Sequence, residues 1–137
     1  MKVVLDTNAL LVSIPSKSIY RPIFDSLING DLELVLSNDI LLEYIEIIER
    51  KANKTIANNI AELLLNLNNI NKIEIYFEWN LINNDVDDNK FVDAAIAGAA
   101  DFIISNDQHF NILQSVDFPK VNVLTIDAFL THLSKKQ

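Results

Sequence analysis

Cysteine is absent from the chain, and glycine occurs only twice. The first absence excludes disulfides, a thiolate metal site and a cysteine nucleophile, and it suits a reducing interior. The second removes the Gly-rich turn that a dinucleotide-binding domain needs after its first strand. No apolar run reaches the roughly 18 residues of a membrane span. One lysine precedes the first apolar stretch, Asp6 interrupts it, and no small-residue cleavage site follows, so no signal peptide is expected. The expectation is a cytoplasmic protein without a membrane partner. Basic residues are also scarce, 11 against 19 acidic ones, for a formal charge of −8. That balance argues against a broad phosphate-binding surface. It is compatible with a nucleic-acid enzyme whose metal ions offset its own acids.

Hydrophobic residues make up 50% of the chain, enough for a sizeable core, and a length of 137 residues suits one domain spanning 1–137. Strand-like and helix-like patterns alternate, which predicts an α/β fold with a central, mostly parallel sheet. Strands are expected at 2–6, 32–36, 73–77, 102–105 and 121–125. Helices are expected at 8–13, 20–29, 38–50 (capped by Ser37 or Asn38), 54–68, 88–99, 108–114 and 127–134. The 54–68 helix carries a stripe of Ile56, Ile60, Leu63, Leu64 and Leu67. The Asn-rich stretch 66–72 reads as a long turn, and 80–87 as a loop.

Two apolar strands end in acid: Val3-Val4-Leu5-Asp6-Thr7-Asn8 and Phe102-Ile103-Ile104-Ser105-Asn106-Asp107. In an open parallel sheet, ligands bind outside the carboxyl ends of the strands. Carboxylates placed there twice suit a hard cation such as Mg²⁺ or Mn²⁺. Each acid also has a plainer reading. Asp6, Asp88 and Asp107 could N-cap the helices that follow them. Glu43, flanked by apolar Ile40 and Ile47 and polar Asp39 and Glu46, sits on the border of a buried face, as a solvated residue or one pointing into a cleft. Asp85 and Asp87 read as turn residues, Asp101 as structural, and Glu46 with Arg50 as a surface ion pair. Taken together, two strand ends and two helix positions can converge on one crevice, where repelling carboxylates require a cation or protons.

In order and spacing, Val4-Leu5-Asp6-Thr7-Asn8, Ile40-Leu41-Leu42-Glu43, Asp85-Val86-Asp87-Asp88-Asn89-Lys90-Phe91 and Ala100-Asp101-Phe102-Ile103-Ile104-Ser105-Asn106-Asp107 resemble the PIN-domain nucleases over nearly the whole chain. The resemblance is to the prokaryotic branch of toxins from toxin–antitoxin pairs, the VapC-type ribonucleases. It implies a three-layer α/β/α domain, a metal-dependent endoribonuclease, RNA as substrate, a cognate antitoxin as partner and a homodimer. By position it makes Asp6, Glu43, Asp88 and Asp107 the catalytic and metal-binding acids, holding Mg²⁺ or Mn²⁺. Asn8 matches a residue that orients the first Asp, and Ser105 a Thr or Ser near the site. Ser105-Asn106 departs from the Thr-Gly common in relatives, and the crowded third motif leaves Asp87 or Asp93 as replacements for Asp88. Lys90, next to the site, could contact a phosphate or be a solvated helix lysine. Asp93 could be a surface acid or support the site from behind. His109 and His132 read as surface or helix-end residues, and Tyr76, Phe77 and Trp79 as core or interface packing rather than base stacking. Apolar residues of 38–50 and 54–68 could serve dimerisation or antitoxin contact, although core packing explains most of them.

Other reactions fit less well. A haloacid-dehalogenase-type phosphatase needs a second Asp where Asn8 stands, and a receiver domain needs an acidic pair after its first strand. The alternatives that survive are a catalytically silent PIN-like module that binds a protein, and a nuclease of RNA processing unrelated to toxin–antitoxin systems.

Overall fold

The computed structural model describes residues 1–83 and 85–135. Five strands alternate with helices: β1 (Lys2–Leu5), α1 (Thr7–Ser13), α2 (Arg21–Ile28), β2 (Glu33–Leu36), α3 (Asn38–Lys51), α4 (Lys54–Asn66), β3 (Ile70–Lys72), α5 (Asn89–Ala97), β4 (Phe102–Ile104), β5 (Val123–Leu124) and α6 (Ile126–Ser134). Short 3-10 segments cover Val86–Asp88 and Gln108–Ser115. The strands form one parallel sheet in the order β3-β2-β1-β4-β5, flanked by helices in a three-layer α/β/α fold.

The centre of the sheet explains the apolar strand sequences. Val3, Val4 and Leu5 of β1, Leu34, Val35 and Leu36 of β2, and Ile103 and Ile104 of β4 are all fully buried. Consecutive buried residues mean that both faces of these strands are covered, as helical crossovers require of a parallel sheet. Helix α5 lies against β1, β2 and β4, while α3 packs on α4 and touches α1 and α5. Gly98, the α5 C-cap, is needed at this contact: a Cβ there would lie 2.6 Å from Val35 Cγ1. Gly30 instead closes α2 at φ +83°, a conformation that costs other residues more. No helix among the described residues is long and apolar enough to cross a membrane.

The expected strand at 73–77 is displaced. The edge strand is Ile70–Lys72, inside the stretch expected to be a long turn. The turn ends at Asn69, whose Nδ2 donates to the Leu27 and Leu32 carbonyls at 2.8 and 2.6 Å. Residues 70–72 then pair with Leu34, Val35 and Leu36, and Ile73 N–H closes the ladder on Leu36 O at 2.9 Å. Pairing stops there because β2 itself stops: Ser37 caps α3, accepting from Ile40 N–H. The β-rich stretch 73–77 therefore has no partner strand, whereas the polar Asn71 and Lys72 are tolerated on an edge.

Two packing expectations also change. Of the α4 stripe, Leu64 is buried and Ile60, Leu63 and Leu67 are half-buried against the core, but Ile56 is exposed; Ala57 takes the buried place one residue on. The aromatic cluster is not core. Tyr76, Phe77 and Phe118 are exposed, and Trp79 lies edge-on between Phe77 and Phe118 at 4.7 and 6.3 Å.

Candidate metal-binding site

The strand order reverses between β1 and β4, since β2 and β3 lie on one side of β1 and β4 and β5 on the other. This is the topological switch point, where the carboxyl ends of neighbouring strands diverge and leave a crevice. Asp6 follows β1 and Ser105 follows β4, and Asp6 N–H donates to Ile104 O at 3.1 Å. Ser105, only 3% exposed, ties the two strand ends together. Its hydroxyl donates to Asp6 Oδ2 at 2.6 Å and accepts from Asp107 N–H at 3.0 Å. Asn106, the departure beside it, accepts from Ile126 N–H at 2.9 Å and so anchors the start of α6.

Capping geometry separates the acids. Asp6 stands at the N-cap of α1, yet its side chain makes no capping hydrogen bond. Asp88 has helical backbone angles within the continuous 86–97 segment, whose start is capped by Asp85 accepting from Asp87 N–H at 3.1 Å. Asp107 does cap, accepting from His109 N–H at 2.9 Å through Oδ1, so the plain reading holds for one of its oxygens.

Glu43 reaches the crevice from α3. Its Oε2 accepts from the Thr7 hydroxyl and its Oε1 pairs with Lys90 Nζ at 2.8 Å. The next residue fixes the helix: buried Tyr44 donates from its hydroxyl to Leu5 O at 2.5 Å, pinning α3 to the end of β1. From the other side, Asn89 clips the loop before α5, accepting from Ile82 N–H and donating to Ile82 O, both at 2.9 Å. Neither Tyr44 nor Asn89 stood out in the sequence, because a buried polar side chain looks like any other until its partner is known.

The acids of the crowded third motif lie in three different surroundings. Asp88 is buried, and the acids that act on it are Asp107, Asp85 and Asp6. Asp87 is exposed and reaches only toward Lys90, at 4.0 Å. Asp93, one turn further along α5, accepts from Trp79 N–H at 3.0 Å, and the acid beside it is Glu78. Asn8 is exposed at the start of α1, and the hydrogen bond that orients Asp6 comes from Ser105 instead. Asp101 accepts from Lys2 N–H at 2.9 Å, and Glu46 pairs with Arg50 at 3.0 Å.

His109 is part-exposed at the start of the 108–115 segment, as a surface or helix-end residue would be, and it also faces three acids. Its Nδ1 lies 3.1 Å from Asp88 Oδ2, 3.3 Å from Asp107 Oδ1 and 3.8 Å from Asp85 Oδ2. Donor atoms of Asp85, Asp88 and His109 all fall within 4.8 Å of one another. This compact group contains only one of the four expected acids; Asp6 and Asp107 adjoin it. The available signal was spacing, since His109 stands two residues after Asp107 at the start of a short helix. His132 lies in the last turn of α6, in keeping with the helix-end reading. Its ring lies against Phe102 and Phe129, and Nε2 is buried with no partner among the described residues.

The electrostatics show a site short of positive charge. Burial raises the Asp6 pKa; hydrogen bonds from Ser105 and Thr7 oppose the rise, and the charges of Asp107 and Glu43 add to it. Burial lifts Asp88 to about 6, against the His109 hydrogen bond and with help from Asp107, Asp85 and Asp6. His109 is raised mainly by its hydrogen bond to Asp88. Burial alone would lower Lys90, but its hydrogen bond and charge pairing with Glu43 prevail and raise it. Carboxylates held above their ordinary range, with oxygens that no cap consumes, suit a hard divalent cation.

A family model described as PIN domain matches residues 2–109. The chain belongs to the PIN-domain family. No curated protein matches it. Among solved structures, the crystal structure of VapBC2 from Rickettsia felis, bound to a DNA fragment from its promoter, is similar. It matches with a TM-score of 0.61 and 16% identity, over 91% of this chain and 98% of that one. At that identity the likeness speaks for the fold.

Proposed function

We propose that this PIN domain is a divalent-metal-dependent endoribonuclease, the toxin of a toxin–antitoxin pair, acting in the cytoplasm as one domain over 1–137. The observation that carries the reading is the switch-point crevice itself. Asp6 occupies a cap position without capping, and buried Asp88 is pushed up to about 6 by burial and by neighbouring acids. Family membership and the VapBC2 likeness support the same reading.

Asp6, Glu43, Asp88 and Asp107 would hold Mg²⁺ or Mn²⁺. When bound, such ions make water nucleophilic at neutral pH and stabilise the leaving oxygen of a phosphodiester. The chain's own groups do the rest. Ser105 fixes the rotamer of Asp6 and the position of the Asp107 backbone. Lys90, held by Glu43 at 2.8 Å, would pair with a substrate phosphate. Asp93 and Asn8 lie outside this arrangement and serve the loop at Trp79 and the exposed start of α1. The acidic surface restricts RNA contact to the crevice, where bound cations and Lys90 offset the phosphates.

The proposed partners are an antitoxin and a second copy of the chain, with Leu42, Ile56 and Leu65 as the exposed apolar residues of α3 and α4. The deciding experiment is cleavage of single-stranded RNA by purified, partner-free protein with Mg²⁺ or Mn²⁺. Wild type should cleave, and Asp6→Asn and Asp88→Asn should not. Absence of metal-dependent cleavage, or cleavage that survives both substitutions, refutes the reading and favours a silent protein-binding module. Cleavage without toxicity on expression would favour a role in RNA processing.

A further inference from the structure

We infer that Asp85 and His109 are ligands of a divalent ion shared with Asp88, forming a nitrogen–oxygen site that takes Mn²⁺ or a later first-row ion in preference to Mg²⁺. The inference rests on the metal-dependent reading, because Asp88 belongs to both sets, and it adds two ligands outside the four carboxylates.

The geometry is that of donors around an absent centre. Ligands roughly 2.1 Å from one ion lie about 3 Å apart when at right angles and about 4.2 Å apart when opposite. His109 Nδ1 is 3.1 Å from Asp88 Oδ2 and 3.8 Å from Asp85 Oδ2, and the three donors all lie within 4.8 Å. Each is directed there by a separate local contact. Asp85 spends Oδ1 on Asp87 N–H at 3.1 Å, leaving Oδ2 toward the imidazole. Asp88 makes no cap. His109 is oriented through its own backbone, whose N–H donates to Asp107.

A single Nδ1–H can satisfy one acceptor, yet three carboxylates converge on it. One proton is a poor counterpart for that much charge, and one divalent ion is a good one. The ring is part-exposed, which leaves Nε2 free to carry the remaining proton while Nδ1 binds. An imidazole donor moves preference away from Mg²⁺, which favours oxygen ligands, toward Mn²⁺ and the metals beyond it.

The test is electron spin-echo spectroscopy of Mn²⁺ added to the full chain, with affinities from calorimetry. Nitrogen-14 coupling to Mn²⁺ is expected in wild type and should vanish in both His109→Ala and His109→Gln. His109→Ala should weaken Mn²⁺ binding on the order of 10–100-fold and narrow the preference for Mn²⁺ over Mg²⁺. Asp85→Asn should weaken Mn²⁺ binding while keeping the nitrogen signal. Circular dichroism confirms that the variants fold, and His109→Gln retains a hydrogen-bonding group if the alanine variant does not. Mn²⁺ that binds without nitrogen coupling, with affinity unchanged in His109→Gln, makes His109 a hydrogen-bonding support and overturns this inference while the carboxylate site stands. No Mn²⁺ binding at millimolar concentrations overturns both.

Discussion

Replacing Asp88 with Asn should stabilise the metal-free protein near neutral pH while destroying the site. Asp88 moves from 3.8 in its ordinary state to about 6 in the folded chain. A raised acid pKa means that the folded state binds the proton more tightly than the unfolded one. Stability contributed by the protonated form is therefore fully present below about pH 4 and is lost as pH rises toward and through 6. At about 1.36 kcal/mol per pKa unit, the ionised carboxylate costs roughly 3 kcal/mol at pH 7.5. The side chain retains 12% exposure, and residual solvent screening lowers this to about 2 kcal/mol. That shift already contains the His109 hydrogen bond to the ionised carboxylate, which opposes the rise.

The gain at pH 7.5 is then on the order of 2 kcal/mol, or roughly 6–10 °C in Tm for a chain of this size. At pH 4 the gain should disappear. The assay is calorimetric or urea unfolding of wild type and Asp88→Asn in EDTA at pH 4, 6 and 7.5. The difference between the two proteins is compared across pH, so that other titrating groups cancel. Addition of Mg²⁺ or Mn²⁺ should raise the wild-type Tm and leave Asp88→Asn unmoved, because binding to the folded state alone stabilises it. A difference between the proteins that stays constant from pH 4 to 7.5, or an Asn variant less stable than wild type at pH 7.5 without metal, would refute the argument.

Three further substitutions test the framework around the acids. Ser105→Ala removes the donor that holds Asp6 and the acceptor for Asp107 N–H, so Mn²⁺ affinity by calorimetry should fall about tenfold or more, with a stability loss of about 1 kcal/mol. Tyr44→Phe loses the buried hydrogen bond to Leu5 O; urea unfolding should show a loss of about 1–2 kcal/mol, and an unchanged midpoint would show that the bond does not anchor α3. Gly98→Ala places a methyl 2.6 Å from Val35 Cγ1 and should cost about 1–3 kcal/mol by the same measurement. Val35→Ala in the same chain should recover part of that loss, and strict additivity of the two would argue against the contact.

Legibility in the sequence followed the physics of each signal. Buried parallel strands announce themselves as apolar runs, and Val3–Leu5 and Phe102–Ile104 could not have been read otherwise. The edge strand could not be read this way. Ile70-Asn71-Lys72 is a strand because Leu34, Val35 and Leu36 offer a ladder opposite it, whereas Ile73–Phe77 has the better composition and no partner. Pairing is a property of two segments, and one sequence window carries only half of it. Tyr44 and Asn89 were obscure for the same reason, since each matters through one backbone group far away in sequence.

The acids show how a motif can be right about a place and incomplete about its contents. Position alone could not separate an N-cap from a ligand at Asp6, Asp88 or Asp107, because the same strand-to-helix junction calls for a carboxylate in both cases. The side chains separate them: Asp6 turns to Ser105 and leaves α1 uncapped, Asp88 turns to His109 from within a helical segment that Asp85 caps, and Asp107 divides between cap and cluster. An uncapped helix start forgoes about 1 kcal/mol, and burying Asp88 costs more. A stability-driven design would have neither feature, so the folded chain holds these carboxylates against its own preference. Protons relieve that cost at low pH, and under the proposed function a divalent cation in the crevice would relieve it at neutral pH.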